Sequence, residues 1–110
     1  MRVSKAQSAL PIPVRRALRK LGADISAARK RRGITSALLA SRAFVNRKSL
    51  TRVERGDPGV SMGIYASVLF ALGLADRLGT LLDTDHVGQA LADDLLPKRV
   101  RPAASVYAGE

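Results

Sequence analysis

Between residues 46 and 55 the chain reads Asn-Arg-Lys-Ser-Leu-Thr-Arg-Val-Glu-Arg. Arg47, Lys48, Ser49, Thr51 and Arg52 surround Leu50 and Val53, two apolar residues three positions apart. Residues at that spacing share one face of a helix, so Leu50 and Val53 turn inward and the polar set turns outward. Guanidinium and ammonium groups pair with phosphate, and Arg, Lys, Ser and Thr hydrogen-bond the edges of bases presented in a major groove. The chemistry on offer is recognition of a polyanion. Bond-breaking chemistry is not: there is no cysteine nucleophile, no Ser-His-Asp set with plausible partners and no glycine-rich phosphate loop. We expect no enzyme activity, no metal and no cofactor.

Proline and glycine divide the chain into the elements that must hold this set in place. Pro11 and Pro13 close an expected flexible arm, residues 1–13. From Val14 to Arg32, Leu18, Leu21, Ile25 and Ala28 recur at helical spacing, and Gly33 is placed to end that helix. Thr35 is the expected cap of a short second helix containing Ala37-Leu38-Leu39-Ala40. Asn46 caps a third, Arg47 to Arg55, and Gly56-Asp57-Pro58-Gly59 is a strong turn signal. Ser61 opens a fourth helix, inward-facing at Ile64, Tyr65, Val68, Leu69 and Leu72, which Gly73 breaks. Leu74, Leu78, Leu81 and Leu82 outline a shorter fifth, and a weaker sixth runs from His86 to Leu95 ahead of Pro97. No alternating strand pattern of useful length occurs, so the expected fold is all-α with five to six helices. A chain of 110 residues buries one core, and with 4% aromatic residues that core is aliphatic. The expected organisation is the arm, a domain over 14–82, a helical segment over 83–96 and a basic disordered tail over 97–110.

The formal charge is +10, and it is segregated. Residues 1–56 hold fifteen Lys and Arg against Asp24 and Glu54, while residues 57–96 hold six Asp against Arg77. The last fourteen residues carry Lys98, Arg99 and Arg101 against Glu110. Charge placed for solubility alone mixes its signs, so the N-terminal half reads as the polyanion-facing part. No run of about 18 apolar residues is present and the first residues lack the apolar stretch of a secretory signal. The absence of cysteine fits a reducing compartment. Together these imply a cytoplasmic protein.

The caps, inward positions and closing motif agree in one further respect. Ile34-Thr35-Ser36-Ala37-Leu38-Leu39-Ala40, followed by Val45-Asn46-Arg47-Lys48-Ser49-Leu50-Thr51-Arg52 and the close Val53-Glu54-Arg55-Gly56, resembles the phage-repressor-like (Cro and Xre) helix-turn-helix family over about residues 14–82. The longer run Glu54-Arg55-Gly56-Asp57-Pro58-Gly59-Val60-Ser61, with Tyr65 and Leu72-Gly73-Leu74, is similar to HipB-type antitoxin regulators. The resemblance implies a lambda-repressor-like fold and a homodimeric repressor that binds a near-palindromic operator in double-stranded DNA. Its HipB branch implies a HipA-type kinase toxin as partner. Carried over residue by residue, Arg47, Lys48, Ser49, Thr51 and Arg52 are implied base readers. Ser36 is an implied phosphate contact. Asn46, together with Arg31 and Arg32 of the basic run Arg29-Lys30-Arg31-Arg32, are further candidate phosphate contacts, although the macrodipole alone favours cations at a helix C-terminus. Ser36 stands where the family more often has Gln, which implies a shorter reach. Arg29 and Glu54 match a buried ion pair between first and third helices, and breaking such a pair costs about 3–5 kcal/mol because the remaining charge stays buried.

Two further residues depart from that pattern. Phe44 stands at the turn position usually held by Gly, and a bulky residue at positive φ costs about 1–2 kcal/mol. Either the turn takes another conformation or Phe44 packs over the helix pair. Leu38 occupies a usually polar place, so the two form a contact patch or pack on each other. A dimer needs a surface away from DNA, and Leu74, Leu78, Leu81 and Leu82 are the candidates. The acidic half or the tail from Leu95 to Pro102 is the candidate dock for a kinase, and the tail serves equally well as a DNA-anchoring arm. A stand-alone repressor without a kinase partner remains open. An RNA-binding role is disfavoured by the scarcity of aromatic stacking platforms, two Phe and two Tyr. His86 has no second His or Cys nearby and reads as solvated, and Asp83, Asp85, Asp93 and Asp94 lack the spacing of a calcium loop.

Overall fold

The structure is a computed structural model that describes residues 9–95, and it is all-helical over them. The expected tail over 97–110 and residues 1–8 of the expected arm lie outside the described residues. Six helices follow in order: α1 Ile12–Arg31, α2 Ser36–Ala43, α3 Arg47–Glu54, α4 Met62–Ala71, α5 Asp76–Gly79 and α6 His86–Leu95. The chain forms two compact units that meet in sequence at Leu78 and Gly79, four residues before the boundary expected at 82.

Local chemistry sets most boundaries. Pro11 takes the N-cap position of α1 with Pro13 inside its first turn, so the helix begins at Ile12 rather than after both prolines. A proline in a first turn lacks only an N–H that has no helical partner anyway. Thr35, Asn46 and Ser61 cap α2, α3 and α4, each accepting the backbone N–H three residues on, at 3.1, 2.7 and 3.2 Å. Asp85 does the same for α6 through Gly88 N–H.

Helices α1 to α4 all end in one geometry. The residue just past the helix takes a left-handed conformation and two backbone N–H groups fold back onto the last turn. At α1 these are Gly33 N–H to Lys30 O and Ile34 N–H to Arg29 O, and at α3 Gly56 N–H to Val53 O and Asp57 N–H to Arg52 O. At α4 they are Gly73 N–H to Phe70 O and Leu74 N–H to Leu69 O. The α2 end repeats the pattern with Phe44, whose N–H reaches Ser41 O while Val45 N–H reaches Ala40 O.

Within the first unit, Ile25 of α1, Leu39 of α2, Leu50 and Val53 of α3 and Val68 of α4 are fully buried. Ala40 of α2 is buried, as is Tyr65, expected to face inward, while Leu18, Leu21 and Ile64 are half-buried. Leu74 and Leu78 pack against this core. Leu74 follows the left-handed Gly73, and the fold-back that bonds its N–H to Leu69 O also lays its side chain over the last turn of α4. The expected fifth helix is correspondingly short: Leu81 and Leu82 fall beyond α5 and are exposed.

The tightest approach joins α1 to the end of α3 through bare backbone. A Cβ added at Gly22 would lie 2.6 Å from both Gly56 N and Val53 O, and one at Gly56 would lie 2.7 Å from Arg19 Cα. Such a placement forces the helices apart. Gly22→Ala is therefore expected to lower stability in chemical denaturation by about 1–3 kcal/mol, although Ala is the better helix former by about 1 kcal/mol. Gly63→Ala in α4, where the nearest atom is 3.8 Å away, is expected to leave stability within about 1 kcal/mol of wild type. Equal midpoints for the two variants would show that the crossing carries no constraint.

Candidate nucleic-acid interface

Helix α3 is eight residues long and about 12 Å from end to end. Its burial of Leu50 and Val53 turns Arg47, Lys48 and Thr51 to solvent, with Ser49 half-buried. Asn46 Oδ1 is engaged as the cap, so this residue begins the helix before it does anything else. The Thr51 hydroxyl donates to Arg47 O at 3.0 Å, which leaves its oxygen lone pairs outward as acceptors.

The implied base reader Arg52 is held differently. Its Nε donates to Asp57 Oδ2 at 2.7 Å, and both side chains are partly buried. Asp57 Oδ1 accepts the Gly59 N–H at 2.7 Å, and the Tyr65 hydroxyl donates to Asp57 O at 2.8 Å. Three hydrogen bonds thus lock the loop after α3 onto α3 and α4. Arg52 is two residues before the end of α3 at Glu54, and Asp57 directly follows the left-handed Gly56. The fold-back of the chain brings these two positions together, and here an ion pair stands where an apolar contact is usual. The Arg52 hydrogen bond first, and the Gly59 N–H second, hold the Asp57 carboxyl below the usual carboxylate range. Burial, with the nearby Asp57 charge, pushes the Tyr65 phenol up, so it stays neutral and able to donate.

Arg29 and Glu54 form the inter-helix pair the resemblance implied. Nε and Nη2 of Arg29 meet the two oxygens of Glu54 at 2.8 and 3.2 Å, with side-chain exposures of 12% and 15%. Arg29 Nη1 also donates to Ile34 O at 3.2 Å, tying the pair to the link between α1 and α2. The hydrogen bond that Arg29 donates to Glu54 raises the Arg29 pKa and keeps its charge fixed.

Of the implied phosphate contacts, Arg31 is exposed and Arg32 is exposed with Nη1 donating to Ala28 O at 3.0 Å, a bond that caps the end of α1. Ser36 is half-buried in the first turn of α2. Five residues, Arg31, Arg32, Ser36, Arg47 and Lys48, thus lie within eighteen positions that contain no acidic side chain. Arg15, Arg19 and Arg55 line a separate open cleft of about 240 Å³ with Gly56, Asp57 and Pro58.

Neither alternative for Phe44 holds. The turn keeps its left-handed conformation, with φ 58° and ψ 39° at Phe44, and the ring is 93% exposed, so it covers neither the helix pair nor Leu38. Among the described residues Phe44 is the one non-glycine residue at positive φ. The outer face of α4, for which the residues alone suggest no role, carries Met62 and Phe70, 74% and 69% exposed and two turns apart. Residues 58–75 contain no charged side chain, the signal that could have drawn attention to it. Of the dimer candidates, Leu74 and Leu78 are occupied in the core, whereas Leu81 and Leu82 are exposed in the second unit. Among the described residues no group of three side chains could hold a metal ion, and no helix is long and apolar enough to cross a membrane. Comparison of the chain with protein-family models, curated proteins and solved structures finds no match.

The depressed Asp57 carboxyl has a definite sign in pH. The native state keeps the carboxylate charged at acidities where the unfolded chain takes up a proton, so its contribution is complete above the ordinary value of about 3.9 and is lost as pH falls below it. Asp57→Asn is expected to lower stability at pH 7 and to flatten the fall in stability between about pH 5 and pH 2, measured by denaturation across that range. A variant with the wild-type acid slope would show that Asp57 does not contribute to it.

Proposed function

We propose that this protein is a sequence-specific double-stranded DNA-binding transcriptional regulator, a repressor of lambda-repressor-like fold in which α2 and α3 form the helix-turn-helix. The observation that carries the reading is α3 itself. Its apolar pair is fully buried, Arg47 and Lys48 are exposed in its first turn, and no acid lies between residues 25 and 53 to compete with phosphate. A helix N-terminus also carries partial positive charge and suits the approach to an anionic backbone. Arg47 and Lys48, with Ser49 and Thr51, are the base readers of this proposal. Arg31, Arg32 and Ser36 act on phosphate, and Arg52 acts through the loop it braces.

A helix-turn-helix dimer reads half-sites about 34–36 Å apart. The charge-free outer face of α4, with Met62 and Phe70, suits contact between two copies of a chain that otherwise carries a large positive surplus. We expect affinity for a selected near-palindromic duplex to fall steeply with salt. Arg47→Ala should lose about 1–3 kcal/mol on the preferred site and relax its base preference, whereas Arg31→Ala should weaken all duplexes alike and reduce the salt slope by about one. Phe70→Lys should yield a monomer by light scattering and abolish the preference for paired half-sites. Equal losses from Arg47→Ala and Arg31→Ala on every sequence would overturn the assignment of roles, and no duplex binding by wild type at low salt would overturn the function.

A narrower reading, the antitoxin half of a HipA-type kinase pair, draws on α6. Val87, Leu91 and Leu95 fall at four-residue intervals on that helix and are exposed, and Asp93 and Asp94 lie beside them. Co-expression with a kinase encoded beside this gene should give a complex that Leu91→Lys dissolves, and failure to form one would leave a stand-alone repressor.

A further inference from the structure

Phe44 is the one non-glycine residue at positive φ among the described residues, and its ring lies uncovered. A benzyl side chain sits on a left-handed backbone that favours glycine, and 93% of the residue faces solvent. The three other helix ends of the same geometry use Gly33, Gly56 and Gly73. Backbone strain that no intramolecular contact repays points to a role outside the folded chain.

Its surroundings define the occupant. Phe44 precedes the α3 cap by two residues, and the exposed cations Arg42, Arg47 and Lys48 flank it in the chain. A ring amid cations, without an acid from residue 25 to 53, suits a partner that presents negative charge and apolar edges together. The margin of a DNA groove does so: phosphates alternate with deoxyribose faces, and thymines add C5-methyl groups. We propose that Phe44 is a DNA-contacting residue, its ring packing on deoxyribose or thymine-methyl surface while Arg47 and Lys48 engage the groove beside it. The inference rests on the DNA-binding reading above.

Three substitutions separate strain from contact. Phe44→Gly relieves the left-handed strain and removes the ring, so the full chain should melt about 4–8 °C higher yet bind its selected duplex at least about tenfold more weakly, the scale expected for losing a buried ring. Phe44→Ala removes the ring and keeps the strain, so it should match Phe44→Gly in affinity without the gain in melting temperature. Phe44→Tyr keeps the ring and should bind within about threefold of wild type. Replacing thymine by uracil in the duplex assigns the contact. Loss confined to proteins with an aromatic residue at position 44 identifies the methyl group, and unchanged discrimination identifies the sugar. Wild-type affinity in both Phe44→Gly and Phe44→Ala would overturn the proposal, as would loss of self-association in place of DNA affinity. The DNA-binding reading fails separately, in wild-type protein that binds no duplex.

Discussion

The orientation of α3 depends on a contact that contains no side chain. Gly22 brings the α1 backbone against the carbonyl-rich end of α3, and Gly56 answers from the other side with its left-handed turn. Seven residues after Gly22, two helical turns along the same face, Arg29 grips Glu54 with two parallel hydrogen bonds. Between them Ile25 and Ala28 fill the remaining space. The crossing sets the distance between helices, and the ion pair sets the rotation of α3 about its own axis. Leu50 and Val53 are then committed to the core, and Arg47 and Lys48 have nowhere to point except outward.

The same end of α3 is held by a second device. The chain folds back over its last turn through Gly56, and the two positions thus brought together are Arg52 and Asp57. Because Asp57 also accepts the Gly59 N–H and offers its carbonyl to the Tyr65 hydroxyl, one residue joins α3, the loop and α4. Cations of α3 therefore divide by position. Those in the first turn stay exposed, and the one in the last turn stabilises the loop that begins α4.

Much of this was legible in the residues alone, because it is local chemistry. A hydroxyl or amide before an apolar-periodic run is a cap wherever it occurs, and Thr35, Asn46 and Ser61 all serve as caps. Apolar spacing of three and four located Ile25, Leu50, Val53, Val68 and Leu69 in the core, and the Arg29–Glu54 pair followed from resemblance to a helix-turn-helix pattern. Misplaced features depend on contacts between distant positions. Gly22 lies inside the first helical run, and nothing near it in sequence shows that another backbone passes there. Arg52 looked like any outward cation until the loop returned Asp57 to it. Leu74 and Leu78 looked available for a partner, yet the fold-back at Gly73 lays them on the core and leaves Met62 and Phe70 outside.

The sequence by itself determined that the described chain is helical, where α2, α3, α4 and α6 begin, which residues make the core, and that a surplus of cations gathers in the N-terminal half. Each follows from propensity, capping and periodicity, which act over a few residues. Only the tertiary structure decided which cations remain exposed, which leucines are already occupied, and that an aromatic ring projects from a strained turn with nothing to cover it. Those outcomes depend on how closely two backbones approach and on what each helix end folds back upon. No window of neighbouring residues contains that information.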